Sequence, residues 1–596
     1  LFASKRDSHT ALVRAHAATR IMTFLEDPNE VVQRFGVLGI GNLAVSRESH
    51  QELFDVGAVA ALLPVTKSPD TLTKRAIAFS LNNISANAAN HSACERLGLV
   101  RTLVGLLKET DKDTNLQAAL ALRHLCESAR CRNQMIDVQG IGPLLELCNG
   151  EDVELKREVA AALRNLSLSE QSKVAIVREG GLDVLCDLMH SPDVEICHQA
   201  SGVVANLGES PENQGIMVDT GVIQHLKFVL RSKSIDIQRE ASRALANISA
   251  EFSYAPAIVA TGALMSLTTT LSSPDFLCQR YAVMGIGNLA SNQVNQKKIM
   301  QEGALPPLLS LARFENGDLE SQRYSCFALT NLSCTKANHA VMVDTETIPL
   351  ISTLLDHQDI EIRNTCAFTI ANFASNPINH QLILKEGCLP KLVALLSVDD
   401  KNAQLRAVSA LRGLSTDVDI RLDIVDSNAL DPLLILAKSN DVEVQMETLA
   451  TLCNLSLCGC IGDNPLSFLD AVNVKNLVAF LCSADSTYRL FGAVTIGNIV
   501  SSVPLQDQVV EGGALAPLVT VANAADLETQ RCIAYALCNL AADPRRRTDI
   551  VNEGGLPSLI SMACSDDRSD QLAAMATLRG ISAQAENRRG VFKANV

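Results

Sequence analysis

The sequence predicts an all-α protein, built as a right-handed superhelical solenoid of about 14 three-helix repeats of ~41 residues each. Three observations carry that expectation. An asparagine returns on a 41-residue beat, a glycine series keeps a fixed phase with it, and an apolar stripe of helical period lies between them. No alternating strand pattern competes.

The asparagines are Asn42, Asn83, Asn165, Asn206, Asn247, Asn288, Asn331, Asn372, Asn454, Asn498 and Asn539. They stand 41 residues or a multiple apart except across two short insertions, and His124, Gly413 and Gly580 fill the slots without asparagine. About 26 residues before the slot come Gly57, Gly98, Gly180, Gly221, Gly262, Gly303, Gly387, Gly513 and Gly554. Glycine suits a helix end that turns left-handed, where a Cβ would clash. Pro306, Pro349, Pro390 and Pro557 follow that position three residues later, which fits a restarting helix, because a first-turn proline gives up no intrahelical bond. Leu155, Val159, Ala162, Leu163 and Leu166 then mark one face of a helix of about four turns. Each unit is thus a short helix up to the glycine, a second of about ten residues, a polar turn such as Ser191-Pro192-Asp193, and a long third helix. A lone unit cannot bury its stripe, so neighbours must stack.

The expected domain is one continuous solenoid over residues 1–596, with repeats ending near 46, 87, 128, 169, 210, 251, 292, 335, 376, 417, 458, 502, 543 and 584. A two-residue insertion around Arg313 to Gly317 and a three-residue one within Cys458 to Pro465 interrupt the beat. The chain opens at Leu1 and stops at Ala594-Asn595-Val596 without a polar capping helix, so both ends are expected to be cut. Peripheral membrane attachment through a missing amino terminus stays open.

Composition narrows the function classes. Hydrophobic residues make up 47% of the chain and charged residues 20%, which implies a folded core rather than a disordered chain. Tryptophan is absent, so that core must be aliphatic. No apolar run approaches the ~18 residues of a membrane span and no leader opens the chain, so a cytoplasmic protein is expected. The 18 cysteines are scattered through apolar stretches and read as reduced core thiols. Cys453, Cys458 and Cys460 are the densest group, without a histidine at zinc spacing, so no metal is expected.

Catalytic motifs are lacking. Gly39-Ile40-Gly41-Asn42 and Gly285-Ile286-Gly287-Asn288 imitate a nucleotide-binding glycine loop, yet they fall inside the third helix, where close helix packing is the better reading. There is no Walker lysine, HExxH or GxSxG pattern, and the 11 histidines stand singly. No enzyme activity and no cofactor are expected.

The period near 41, GxLP before the second helix and ALxNL in the third resemble the armadillo repeat across essentially the whole chain. HEAT repeats are the nearest rival, but the glycine break and the asparagine ladder look more like armadillo. The segments from Ala162 to Ser167 and from Ala410 to Ser415 are similar to those of the vacuolar armadillo scaffold and related protist and ciliary armadillo proteins. The resemblance implies a protein-interaction scaffold or adaptor, at an organelle surface or in a ciliary assembly, whose third helices line an inner groove.

Helical rotation of ~100° per residue places the asparagine and the positions one, four and eight before it on the exposed side of the third helix. Eight before stand Arg34, Arg75, Arg157, Arg239, Arg280, Arg323 and Arg531; one before stand Arg123, Arg164, Arg412 and Arg579; four before stands Arg243. No acid occupies any of these positions, so the face is expected to attract acidic partners. Phe79, Phe327, Phe368 and Tyr535 also lie four before. Import adaptors of the importin-α type carry tryptophan at that slot to clamp lysines; arginines in its place imply acidic-hydrophobic segments. The asparagines would hold the backbone of an extended segment. In the alternative reading, each arginine reaches a carbonyl or carboxylate of the next repeat and each asparagine binds inter-repeat backbone. Two rival functions remain: the arginines bind RNA or inositol phosphates, for which the acidic net charge of −15 is unfavourable, or the chain is a non-catalytic arm of a larger ligase or kinase. DNA binding is not expected.

Overall fold

The computed structural model describes residues 12, 15–313, 318–456, 474–522 and 526–593. Among them there are helices and no strand. The long helices, in chain order, are α1 (Glu30–Ala44), α2 (Thr71–Ser85), α3 (Lys112–Leu125), α4 (Val153–Leu166), α5 (Val194–Leu207), α6 (Ile235–Ile248), α7 (Phe276–Ser291), α8 (Leu319–Ser333), α9 (Ile360–Ala374), α10 (Lys401–Leu414), α11 (Val442–Leu455), α12 (Ser486–Val500), α13 (Leu527–Leu540) and α14 (Arg568–Ala583). Shorter helices join them; Glu170–Arg178 and Gly181–Met189, for example, precede α5.

The chain gathers into two compact units, Leu1–Ala328 and Leu329–Val596, whose boundary lies within α8. In the first unit each long helix from α1 to α7 packs on the next; in the second the same holds from α9 to α14. Each unit is therefore a repeat solenoid in which a long helix buries its stripe against its neighbours. Val159, Ala162, Leu163 and Leu166 on α4 are fully buried. The two insertions fall at residues 314–317 and within 457–473, outside the described residues.

The glycine series takes up the left-handed conformation, with φ between 70° and 84° from Gly57 to Gly554. His16, Gln139, Glu346 and Asn428 hold the same slot at φ 53°, 54°, 58° and 62°. Many of the long helices are capped by side chains at one or both ends. Asp111, Asp193, Asp275, Asp359, Asp400 and Asp526 accept backbone N–H bonds in the first turns of α3, α5, α7, α9, α10 and α13. At the other end, Nε2 of His50, His91, His339 and His380 lies 2.7–2.8 Å from the carbonyls of Ala44, Ser85, Ser333 and Ala374, so those ring nitrogens carry the proton. Gln214, Gln506, Arg421 and Arg547 serve the equivalent carbonyls elsewhere. The motif glycines are helix contacts: Gly39 lies against Ile21 and Gly285 against Leu267.

Cys94, Cys126, Cys148, Cys278 and Cys388 are buried, and burial pushes the Cys94 and Cys148 thiols up to about 12. They act as small protonated core residues. Cys458 and Cys460 lie outside the described residues.

Candidate functional site: the long-helix face

The asparagines occupy one slot near the carboxyl end of eleven of the fourteen long helices, and all but Asn206 are half-buried. Each of the following sends an Nδ2 hydrogen to the preceding repeat. Asn83 reaches the carbonyl of Gly41, Asn165 that of Arg123, Asn247 that of Ala205, Asn288 that of Ala246, Asn372 that of Thr330 and Asn539 that of Gly497, at 2.9–3.4 Å. Asn206, Asn454 and Asn498 donate to the hydroxyls of Ser167, Ser415 and Ser456. Asn42 and Asn331 hold the same slot on α1 and α8. An amide has two donor hydrogens and an acceptor oxygen, so one inter-repeat bond leaves capacity on the half-exposed side.

The arginines require a correction. They do not form an uncompensated positive row, because among the described residues all but Arg579 lie within 4 Å of an acid, most often one at a helix terminus or in an adjacent slot. Arg75 binds Asp111 through Nε and Nη2 at 3.1 and 2.6 Å and Asp113 at 2.7 Å; Arg157 binds Asp193 at 2.7 Å; Arg239 binds Asp275 at 3.1 and 2.7 Å; Arg280 binds Asp318. Asp111, Asp193, Asp275 and Asp318 are the caps of the following long helices, and Asp113 lies in the first turn of α3. Arg323 pairs with Glu320, and Arg531 with Ser565 and, at 3.8 Å, Asp570. Arg123 and Arg412 meet Glu158 and Glu447 at 2.7 Å. Arg164 crosses Gly202 to reach Glu240 at 2.5 Å, and Arg243 holds Glu240, Glu209 and the Asn206 oxygen. Arg34 stands apart, 3.6 Å from Asp70. The hydrogen bond from Arg75 holds the Asp111 carboxyl well down, at about 2, and that from Arg239 does the same for Asp275.

Along most of the row, therefore, an acidic or phosphate ligand would meet guanidinium groups that already hold carboxylates. The missed partners were readable: each capping aspartate lies 36 residues beyond its arginine in the first-unit pairs Arg34, Arg75, Arg157 and Arg239. Rotation about one helix axis fixes the slots within that helix, whereas a guanidinium reaches across to the next.

The aromatic slot is more open. Phe327 is 39% and Tyr535 48% exposed, and Phe79 is half-buried. These rings lie over glycines of the preceding long helix. A Cβ on Gly41 would stand 3.2 Å from Phe79, one on Gly287 3.0 Å from Phe327, and one on Gly497 3.8 Å from Tyr535. Phe368 is instead covered by the Arg406 guanidinium, 3.8 Å from its centroid. Beside Phe79 a cavity of about 550 Å³ opens between α1, α2 and α3. Among the described residues no cluster suits a metal ion, and no helix is long and apolar enough to cross a membrane.

Comparison with known proteins places this geometry. The family model for the Armadillo/beta-catenin-like repeat matches residues 128–168, 169–208, 210–250, 376–416 and 417–457. Vacuolar protein 8 of Schizosaccharomyces pombe is 28% identical over 186 residues, 31% of this chain and 33% of its own length, so the match spans about a third of that curated relative. The crystal structure of an engineered protein is 31% identical, with a TM-score of 0.63, covering 67% of this chain and 98% of its own. A chain from work on the phosphorylation-controlled interaction between cadherin and beta-catenin has the same fold at 17% identity and a TM-score of 0.65, covering 83% of this chain and 99% of its own. Repeat period, capped three-helix units and these likenesses agree: the chain is an armadillo-repeat protein.

Proposed function

We propose that this chain is a non-enzymatic interaction scaffold that binds extended segments of other proteins along the long-helix face. The observation that carries the reading is the set of half-exposed rings Phe79, Phe327 and Tyr535, each seated on a glycine of the preceding helix beside the amide ladder. A soluble helix normally buries its aromatics; a ring bedded on glycine and open on its other side offers a flat apolar contact, of the kind that concentrates binding energy at interfaces. The spare amide capacity adds hydrogen bonds worth a net ~0.5–1.5 kcal/mol each. Charge selects little along most of the row, since its arginines already have carboxylates. The names of the relatives, a vacuolar protein and beta-catenin with cadherin, support a tethering role, and a cytoplasmic organelle surface is the setting that fits it.

Affinity capture from cell extract with the parent chain and a Phe327→Ala/Tyr535→Ala variant tests this. Both positions are exposed, so the variant should keep its helical circular dichroism and lose about tenfold in partner recovery. Equal recovery by both would remove the face assignment. Displacement of partners by RNA, and not by an excess of captured peptide, would favour the phosphate-ligand alternative.

A further inference from the structure

The cavity of about 550 Å³ between α1, α2 and α3 differs from the rest of the face in its charge balance. Its apolar floor is made by Leu38, Leu72, Ala76 and Phe79. Leu72 is 48% exposed, although it sits in the first turn of a helix whose other apolar residues are largely buried. Arg34 and Arg75 stand at the rim. Arg75 is saturated by Asp111 and Asp113. Arg34 is not: its closest carboxylate oxygen, Oδ2 of Asp70, is 3.6 Å away, and among the described residues its guanidinium makes no hydrogen bond. Asp70 is committed elsewhere, accepting from the Leu72 and Thr73 backbone and, at 2.6 Å, from the Thr73 hydroxyl.

We propose that this cavity anchors an acidic–apolar residue pair of a partner segment, with the bulky apolar side chain entering over Phe79 and the adjacent carboxylate binding Arg34. The proposal rests on the scaffold reading and names where and how one partner residue pair is chosen. Arg34 has open donors at the edge of an apolar floor, and a charge-assisted bond there is shorter and stronger than a neutral one. One guanidinium with open donors matches a single carboxylate better than a doubly charged phosphate.

The test uses a random twelve-residue peptide library selected on the whole chain. The best binder, labelled with fluorescein, is then titrated by fluorescence anisotropy against the parent, Arg34→Gln, Leu72→Ser and Phe327→Ala. Selected peptides should share an Asp or Glu beside a bulky apolar residue. Arg34→Gln and Leu72→Ser should each weaken binding about tenfold, and Arg34→Gln should no longer distinguish the acidic peptide from its amide analogue. Phe327→Ala should leave this short peptide's affinity unchanged. Binders without the pair, no binders at all, or acid discrimination that survives Arg34→Gln would overturn the proposal. If affinity falls with Phe327→Ala and not with the cavity variants, the scaffold reading stands and the cavity assignment fails; if no variant changes affinity, both fail.

Discussion

At Gln139 the backbone turns left-handed, with φ 54°, in the slot that glycine fills in most repeats. A side chain in that region brings its Cβ close to the following carbonyl, at a cost of roughly 1–2 kcal/mol, whereas asparagine and glycine enter it more readily. Gln139 is exposed, so little packing opposes a change. Gln139→Gly is therefore expected to stabilise the chain by about 0.5–1 kcal/mol once the greater freedom of unfolded glycine is offset, read as a higher urea midpoint with an unchanged slope. Asn428→Gly, at φ 62°, should gain only a few tenths. The sequence shows the nine glycines of this series because residue type reports the conformation. It hides Gln139 and Glu346 because there the repeat geometry imposes the turn on residues that do not prefer it.

Between neighbouring helices the recurring device is a capping aspartate shared with the arginine of the preceding repeat. Asp111 accepts from the Thr114 backbone and hydroxyl and also from Arg75. The two roles separate by substitution. Asp111→Ala removes cap and ion pair and should destabilise by about 1–2 kcal/mol, while Asp111→Asn keeps a capping oxygen and loses the charge, and should cost under about 1 kcal/mol since the Arg75 end is partly solvated. Equal thermal shifts for the two variants would show that the charge, not the cap, dominates. Gly287→Ala probes the ring seat in the same way: its Cβ would press on Phe327 at 3.0 Å, and the ring must tilt outward. Because one side of the ring is open, a strain of ~1 kcal/mol should be largely offset by the ~0.5–1 kcal/mol that alanine gains over glycine inside a helix, so the urea midpoint should hardly move. Helical period alone was enough to read the phase of the asparagines and the turn-by-turn burial of Leu163 and Leu166. It could not reveal that Arg157 ends on Asp193, because an angle on one helix carries no information about the reach of a long side chain onto another.

For the whole chain, these shared carboxylates link stability to pH with a definite sign. The Asp111 and Asp275 carboxyls titrate at about 2 in the folded chain, lowered first by their hydrogen bonds from Arg75 and Arg239, against ~3.9 when unfolded. A depressed folded value means the stabilisation is fully present above about pH 4 and disappears as pH falls through about 2, where both states are protonated. The urea midpoint should accordingly hold steady down to about pH 4 and drop below it, with a shallower drop in an Asp111→Asn/Asp275→Asn variant, which has already lost the linkage. Because the long helices within each unit, α1 to α7 and α9 to α14, pack on their immediate neighbours, the change should also be local. Hydrogen exchange at pH 3 is expected to quicken first in α2 and α3 and in α6 and α7, the helices that Asp111 and Asp275 join to Arg75 and Arg239, while α10, in the second unit, keeps its protection. Uniform loss of protection across both units at that pH would mean that the chain unfolds as one cooperative body and that these pairs do not govern its acid response.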